Sequence, residues 1–266
     1  MEHAIKLVAL DLDGTLLDSS KTMPEDFLPW VRKHNNVKTV IASGRQYYTI
    51  LRDFPIGQDK LTIIAENGGL VYDNNKMIYI NSMDVKDINV CLKELEKIPN
   101  VTPILCGVAS AYIPDVSDEI FYMSGIYYDH IKRVTDLNDY IDKDRFLKIA
   151  LFFSDKKAQA HLNELQNLPE NVSAILSGER WIDIAQKDVN KGTALKKILK
   201  MFHIDKSEAA AFGDYLNDYE MLQACEESYC MENGHPDLKQ IAKYITASND
   251  ENGVMKVLNN ETFITC

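Results

Sequence analysis

Short apolar runs, each broken abruptly by a polar or glycine-rich turn, mark both ends of this chain. Leu7-Val8-Ala9-Leu10 runs into Asp11 and Asp13, Thr39-Val40-Ile41-Ala42 into Ser43-Gly44-Arg45, and Leu61-Thr62-Ile63-Ile64-Ala65 into Glu66-Asn67-Gly68-Gly69. Late in the chain, Ala209-Ala210-Ala211-Phe212 runs into Gly213-Asp214, and Ser228-Tyr229-Cys230-Met231 into Glu232-Asn233-Gly234. Runs this short and continuous predict strands buried on both faces. A helix is predicted over residues 24–34, with Pro24 in its first turn, where the missing N–H costs nothing. Another, over about 191–202, carries Ala194, Leu195, Ile198, Leu199 and Phe202 on one face. The alternation predicts an α/β fold, a Rossmann-like parallel sheet with helices on both sides. Ligands bind such sheets at the carboxyl ends of the strands, and the candidate groups all sit there.

The middle of the chain follows another pattern. From about residue 83 to 185 no acidic or glycine motif follows a strand-like run. Val85, Ile88, Leu92 and Leu95 recur at helical spacing; strands are predicted at 101–105, 146–153 and 172–176, and a second helix near 157–166. This predicts an inserted α/β domain over 83–185, joined through Asn81-Ser82-Met83 and Ala185-Gln186-Lys187 to a core of 1–82 plus 186–266. A hairpin over 69–80, turning at Asp73-Asn74-Asn75, belongs to the core.

Composition narrows the function classes. The 266 residues are 45% apolar and 26% charged, as in an ordinary globular protein. The net charge of −11, with no Lys/Arg block, argues against a nucleic-acid partner. Cys91, Cys106, Cys225, Cys230 and Cys266 are odd in number and contain no Cys-x-x-Cys pair, which argues against a zinc site or disulfide framework. No apolar stretch has the length of a membrane span and the N-terminus shows no signal-peptide pattern, so a cytoplasmic protein with no membrane partner is expected.

Asp11 and Asp13, one residue apart at a strand exit, are costly to desolvate without a cation or hydrogen bonds. One carboxylate could attack phosphorus while the other handles a proton; Asp-Gly as plain turn chemistry is the alternative. Mg²⁺ favours a carboxylate or two plus waters and phosphate, which suits Asp11 with a distant partner, Asp214. Asn217 and Asp218 begin a helix within reach of the same metal, though a cap and a dipole-favoured acid would look alike. Ser43-Gly44-Arg45, ending a strand and opening a helix, offers a hydroxyl and free N–H groups as an anion pocket, or a simple N-cap. Lys191 at a helix start opposes the dipole; it is a phosphate clamp or a solvated surface lysine. His130 and His161 read as surface residues without a role.

In order, Asp11-Leu12-Asp13-Gly14-Thr15-Leu16-Leu17-Asp18, Ser43-Gly44-Arg45, Lys191 and Gly213-Asp214-Tyr215-Leu216-Asn217-Asp218 resemble the four motifs of the haloacid dehalogenase superfamily. Glu66-Asn67-Gly68, Met231-Glu232-Asn233-Gly234 and the closing Ser248-Asn249-Asp250-Glu251-Asn252-Gly253-Val254 resemble its Cof-like sugar-phosphatase branch, so the likeness covers nearly the whole chain. The resemblance implies a Mg²⁺-dependent phosphatase of small phosphorylated metabolites, working through an aspartyl-phosphate as a monomer or homodimer. It implies Asp11 as nucleophile, Asp13 as general acid/base, and Ser43 and Lys191 on the phosphoryl oxygens. Metal would be held by Asp11, the Asp13 carbonyl, Asp214 and Asp218. Gly14, Gly44, Arg45, Asn67 and Asn217 would lie along the substrate, with Glu66 and Asn233 beside the site. The insertion resembles the family's cap, with Arg180, Trp181 and Asp183 as candidate substrate contacts, although Trp181 fits a core position better. Tyr215 and Leu216 depart from the family by adding bulk near the metal. A phosphomutase, or a receiver-like protein phosphorylated without turnover, are the alternative functions.

Overall fold

A computed structural model describes residues 4–54, 61–260 and 263–264. The chain divides into two compact units, one of 1–79 with 190–266 and one of 80–189.

The first unit is built on a sheet whose strands are β1 (Leu7–Asp11), β2 (Lys38–Ala42), β3 (Thr62–Ala65), β4 (Leu70–Asp73), β5 (Lys76–Ile80), and later β12 (Ala209–Gly213), β13 (Glu227–Met231) and β14 (Tyr244–Thr246). Their order is β14-β13-β12-β1-β2-β3-β4-β5. From β14 to β3 all neighbours are parallel; β4 turns back antiparallel to β3. The two central strands of the parallel run, LVALD and AAAFG, are buried at every position, as expected of strands covered on both faces. The hairpin closes through Asn74 and Asn75, both at positive φ (47° and 62°), the conformation a two-residue reversal between twisted strands requires.

Helix Lys191–Met201 buries Ala194, Leu195, Ile198 and Leu199 in a core cluster with residues of β1, β2 and β12, and Asn190 caps it by accepting a 2.7 Å bond from the Thr193 N–H. The helix expected over 24–34 is shorter, Phe27–Lys33, and Pro24 lies outside it. The Pro24 carbonyl accepts from the Phe27 N–H in a turn before the helix, so the proline shapes the entry rather than the first turn.

The second unit holds β6 (Val101–Gly107), β7 (Ala111–Pro114), β8 (Ile131–Val134), β9 (Phe146–Phe153), β10 (Val172–Gly178) and β11 (Trp181–Gln186), ordered β10-β11-β9-β6-β7-β8. Only β7 and β8 run parallel. Helix Val85–Leu95 buries Ile88, Cys91 and Leu95 in one core cluster with Leu105 of β6 and Ile149, Leu151 and Phe153 of β9. The helix expected over 157–166 contracts to Ala158–Leu162. Cys91, Cys106, Cys225 and Cys230 are buried thiols; Cys266 lies outside the described residues. No helix of the described residues is long and apolar enough to cross a membrane.

His130 is exposed, as expected, but His161 is not. Its ring stacks on Phe153 at 4.6 Å, Nε2 lies 2.9 Å from Asp155 and Nδ1 lies 3.1 Å from Glu164. A neutral imidazole donates from one nitrogen only, so carboxylates on both favour the imidazolium. Hydrogen bonding to Asp155, against the opposing effect of burial and with Glu164 assisting, raises the His161 pKa. A pKa higher in the folded than in the unfolded state gives stability that is complete below about 6.5 and lost as pH rises through the folded value. The melting temperature should therefore fall across that window, and less so in His161→Gln; parallel pH profiles of the two proteins would remove this role.

Candidate active site

The parallel register between β1 and β12 sets Leu10 beside Phe212, so the two strands deliver Asp11 and Asp214 to one sheet edge. Asp11 is 5% exposed, while Lys191 and Asp218 are both 0% exposed. The Lys191 ammonium donates to Asp11 Oδ1 at 2.5 Å and to Asp218 Oδ1 at 2.7 Å. The other oxygen of Asp218 accepts from the backbone N–H of Asp214 (3.0 Å) and Tyr215 (3.2 Å), tying the second acidic turn to the lysine. Thr15 donates its hydroxyl to Asp214 Oδ1 at 3.4 Å. One carboxylate oxygen from each of Asp11, Asp214 and Asp218 lies within 4.8 Å of the others. A solvated surface lysine at 191 is ruled out: its stem is enclosed and its charge is spent inside the site.

One ammonium against three carboxylates leaves negative charge unmatched in a buried place. Burial lifts Asp11 to about 8, Lys191 opposing and Asp218 and Asp214 adding to the rise. Burial, with Asp218, lifts Asp214 to about 6. For Lys191, burial works to discharge the amine, but Asp11 and Asp218 outweigh it and keep it charged. Such a site is stabilised by a cation, and an all-oxygen donor set suits a hard divalent ion. The backbone makes room for this closeness. Gly14 has φ +85°, and a Cβ built there would overlap the Asp214 carboxylate; one at Gly213 would overlap Asp218.

The Asp13 side chain stands apart from this group. Arg45 grips it with two bonds, Nε at 2.8 Å and Nη2 at 2.7 Å, and the Lys21 ammonium lies 2.9 Å away. Burial would raise its pKa, but the hydrogen bonds from Arg45 and Lys21 hold it below the usual carboxylate range. Arg45 also reaches Asp53 at 2.7 Å.

Ser43 is buried, but no helix opens on it: Gln46 is the N-cap of helix Tyr47–Asp53. The Ser43 hydroxyl instead accepts from the Arg45 N–H at 3.2 Å, closing a turn over Gly44 that must be completed before the helix starts. The Glu66–Asn67 loop is stitched to this turn, the Asn67 N–H donating to the Ser43 carbonyl at 3.0 Å and the Glu66 N–H to that of Arg45 at 3.1 Å. Both residues adopt left-handed backbone (φ 50° and 52°). The Asn67 amide oxygen accepts from exposed Asn217 at 3.1 Å, and a Cβ on Gly44 would press on the Asn67 amide. Asn217 and Asp218 fall in a short turn, Leu216–Asp218, ahead of helix Tyr219–Gln223. Asn233 donates to the Gly14 carbonyl at 2.8 Å. Tyr215 and Leu216 are both exposed, so the bulk expected near the metal points to solvent; Tyr215 packs edge-on against His235.

Arg180, Trp181 and Asp183 belong to the second unit. Trp181 is half-buried against Phe152 and Tyr127, Asp183 pairs with Lys148 at 3.2 Å, and Arg180 donates to the Ser154 carbonyl at 2.8 Å. Sequence reasoning gave Thr15 and Lys21 no role. Thr15 stood inside the first acidic motif, whereas nothing local marks Lys21 as a partner of Asp13.

A buried lysine lies among three carboxylates at the carboxyl edge of a parallel sheet, and one oxygen from each carboxylate is placed where a metal ion could be held. A family model described as haloacid dehalogenase-like hydrolase matches residues 8–258. The chain is 32% identical over 263 residues to the 5-amino-6-(5-phospho-D-ribitylamino)uracil phosphatase YbjI of Escherichia coli (strain K12), covering 96% of each. It is 26% identical over 288 residues to the phosphatase YwpJ of Bacillus subtilis (strain 168), covering 96% of this chain and 99% of the other. The structure of SMU.1108c from Streptococcus mutans UA159 superposes with TM-score 0.83 at 28% identity, covering 97% and 98% of the two chains. The chain belongs to the haloacid dehalogenase-like hydrolase family and is an enzyme of its phosphatase kind. That family typically uses a divalent metal, in keeping with the carboxylate group at the sheet edge.

Proposed function

We propose that the protein is a cytoplasmic, Mg²⁺-dependent phosphatase of sugar or sugar-alcohol phosphates that works through a phosphoryl group on Asp11. The convergence of Asp11, Lys191, Asp214 and Asp218 at one edge carries this reading. The name of the Escherichia coli relative, whose substrate is a ribityl phosphate bearing a uracil, supports the substrate class. Buried cysteine thiols support a reducing compartment.

In the proposed reaction an Asp11 oxygen attacks phosphorus and the bond to the substrate's leaving oxygen breaks, with Asp13 protonating that oxygen. Water then attacks the Asp11 phosphoryl group, giving its proton to Asp13, and inorganic phosphate leaves with Asp11 restored. Lys191 and Ser43 hold phosphoryl oxygens. Asp11, Asp214 and Asp218 would hold Mg²⁺, which supplies charge neutralisation for the phosphoryl group. Asp13 is ionised in its clasp of Arg45 and Lys21, ready as a base. To act first as an acid it must take up a proton from solvent, which needs that clasp loosened; an arriving phosphate dianion competes for both cations.

The test is release of inorganic phosphate from a panel of sugar and sugar-alcohol phosphates with no acceptor added. EDTA should abolish release and Mg²⁺ restore it, with Asp214→Ala raising the Mg²⁺ needed for half activity about tenfold or more. A reaction indifferent to EDTA, or a metal titration unchanged in the variant, would refute the metal assignment. A demand for an acceptor would point to a mutase.

A further inference from the structure

Two sequence motifs, around Asn233 and around Asn249, have no part in the chemistry above, yet both reach into the first acidic loop. We infer that Asn233 is a positioning residue for that loop, acting through the Gly14 carbonyl and the turn that carries Asp214.

Gly14 is forced by the site. Its φ is +85°, and any Cβ would overlap the Asp214 carboxylate. Glycine is also the residue least able to hold its own peptide in place. The loop that follows Asp11 and presents Asp13 closes on itself where the Leu16 and Leu17 N–H groups donate to the Asp11 and Leu12 carbonyls, but its freest joint, Gly14, lies directly against the Asp214 carboxylate, where a bond from outside holds it. Asn233, past the end of β13, donates from Nδ2 to the Gly14 carbonyl at 2.8 Å. Its Oδ1 accepts from the Asn249 backbone N–H at 3.1 Å, so the amide is held at both ends. Buried Asn249 in turn donates to the Leu17 carbonyl at 2.9 Å. Asp250 accepts from the Ser19 N–H and hydroxyl, both at 2.7 Å. The loop is thus tied at residues 14, 17 and 19 by groups from the exits of two neighbouring strands, β13 and β14.

The turn that carries Asn233 also grips the second acidic segment. The His235 N–H donates to the Asp214 carbonyl at 2.7 Å, and the Gly234 N–H to that of Met231 at 2.9 Å. A Cβ on Gly234 would lie 2.6 Å from Cys230 Sγ and 3.1 Å from the Asp214 carbonyl oxygen, so the turn is pressed against the Asp214 backbone. One short turn therefore holds the backbone of both loops whose carboxylates must share a cation. The register of β1 and β12 brings Asp11 and Asp214 to one edge, but how the loop after Asp11 lies against the Asp214 turn is set by whatever joins those two loops; Asn233 is the side chain in the joint.

Resting on the metal-assisted reading of Asp11 and Asp214, the test uses the whole protein with Asn233→Ala and Asn233→Asp. Aspartate keeps the shape and the bond from Asn249 but turns an oxygen, not a donor, toward the Gly14 carbonyl. Three quantities are measured: Mg²⁺ binding by calorimetry without substrate, kcat and KM on a sugar-alcohol phosphate, and the melting temperature. Both variants should bind Mg²⁺ about tenfold more weakly and lose about 10–100-fold in kcat with KM within about twofold, while melting near the wild type. Aspartate should do no better than alanine. Wild-type Mg²⁺ affinity and kcat in either folded variant, full rescue by aspartate, or a loss confined to KM would each overturn the assignment. A wild type that neither binds Mg²⁺ nor releases phosphate sinks the phosphatase reading instead. A wild type that does both beside unaffected variants sinks only the role of Asn233.

Discussion

Replacing Asp11 with asparagine should abolish turnover, by at least about 10³-fold, and leave the fold intact. The amide keeps the size and planarity of the carboxylate and can still accept from Lys191, but it cannot form an acyl phosphate. Stability should not suffer. Burial already raises the Asp11 pKa to about 8 against the opposing Lys191, a sign that the ionised form is poorly accommodated by that ammonium alone. Removing that charge leaves Lys191 with Asp218 and relieves the excess of negative groups, so Asp11→Asn should melt no lower than wild type in EDTA. Phosphate release and thermal unfolding on one preparation check both halves. Appreciable activity in the variant would end the nucleophile assignment, and a large fall in melting temperature would show that Asp11 is held there for structure.

The second large effect belongs to Lys191. Its ammonium is wholly enclosed and bonded to two carboxylates, one of them Asp218, equally enclosed. A buried pair is weak evidence of net stability, but breaking one by removing a single partner costs about 3–5 kcal/mol, because the other charge stays behind. Lys191→Met fills the same channel with an apolar chain and strands Asp11 and Asp218 together. In EDTA the melting temperature should drop by about 10 °C, taking about 2–4 °C per kcal/mol for a protein of this size. Mg²⁺ should return part of the loss by occupying the same negative site, while activity stays absent because phosphoryl oxygens lose their cationic partner. Equal melting of the variant and the wild type in EDTA would contradict the burial and pairing described here.

Continuous apolar runs made the first unit legible. LVALD and AAAFG need no partner context to read as strands covered on both faces, and Asn74-Asn75 declares its own turn. The second unit was read in part. The expected boundaries of 83 and 185 lie a few residues inside the compact unit of 80–189, since no punctuating motif marks either junction. β8 carries only Ile131 and Val134 as apolar anchors and β7 ends on Pro114, so neither stands out from loop sequence. β11 alternates, with Ile182 and Ile184 buried between half-buried neighbours, a pattern too short to stand out between the polar and aromatic side chains of Trp181, Asp183 and Gln186.

In the site, the strand exits revealed which acids would meet, because parallel register alone sends Asp11 and Asp214 to one edge. Pairings across the fold were not legible. The turn of the Asp13 carboxylate toward Arg45 and Lys21, the enclosure of Lys191, and the His161 clasp depend on residues brought together by folding, with no local period to announce them. The asparagines of the two late motifs were recognisable by likeness, but their targets are backbone carbonyls of Gly14 and Leu17, which carry no sequence signal at all.

The stereochemical course at phosphorus tests the central claim most directly. An isotopically chiral phosphorothioate monoester, hydrolysed by the Mg²⁺-loaded enzyme in oxygen-labelled water, distinguishes one displacement from two. Attack by Asp11 followed by attack of water gives two inversions, and the product should show net retention. Net inversion would mean that water attacks the substrate directly, and Asp11 would then be a metal ligand and no nucleophile.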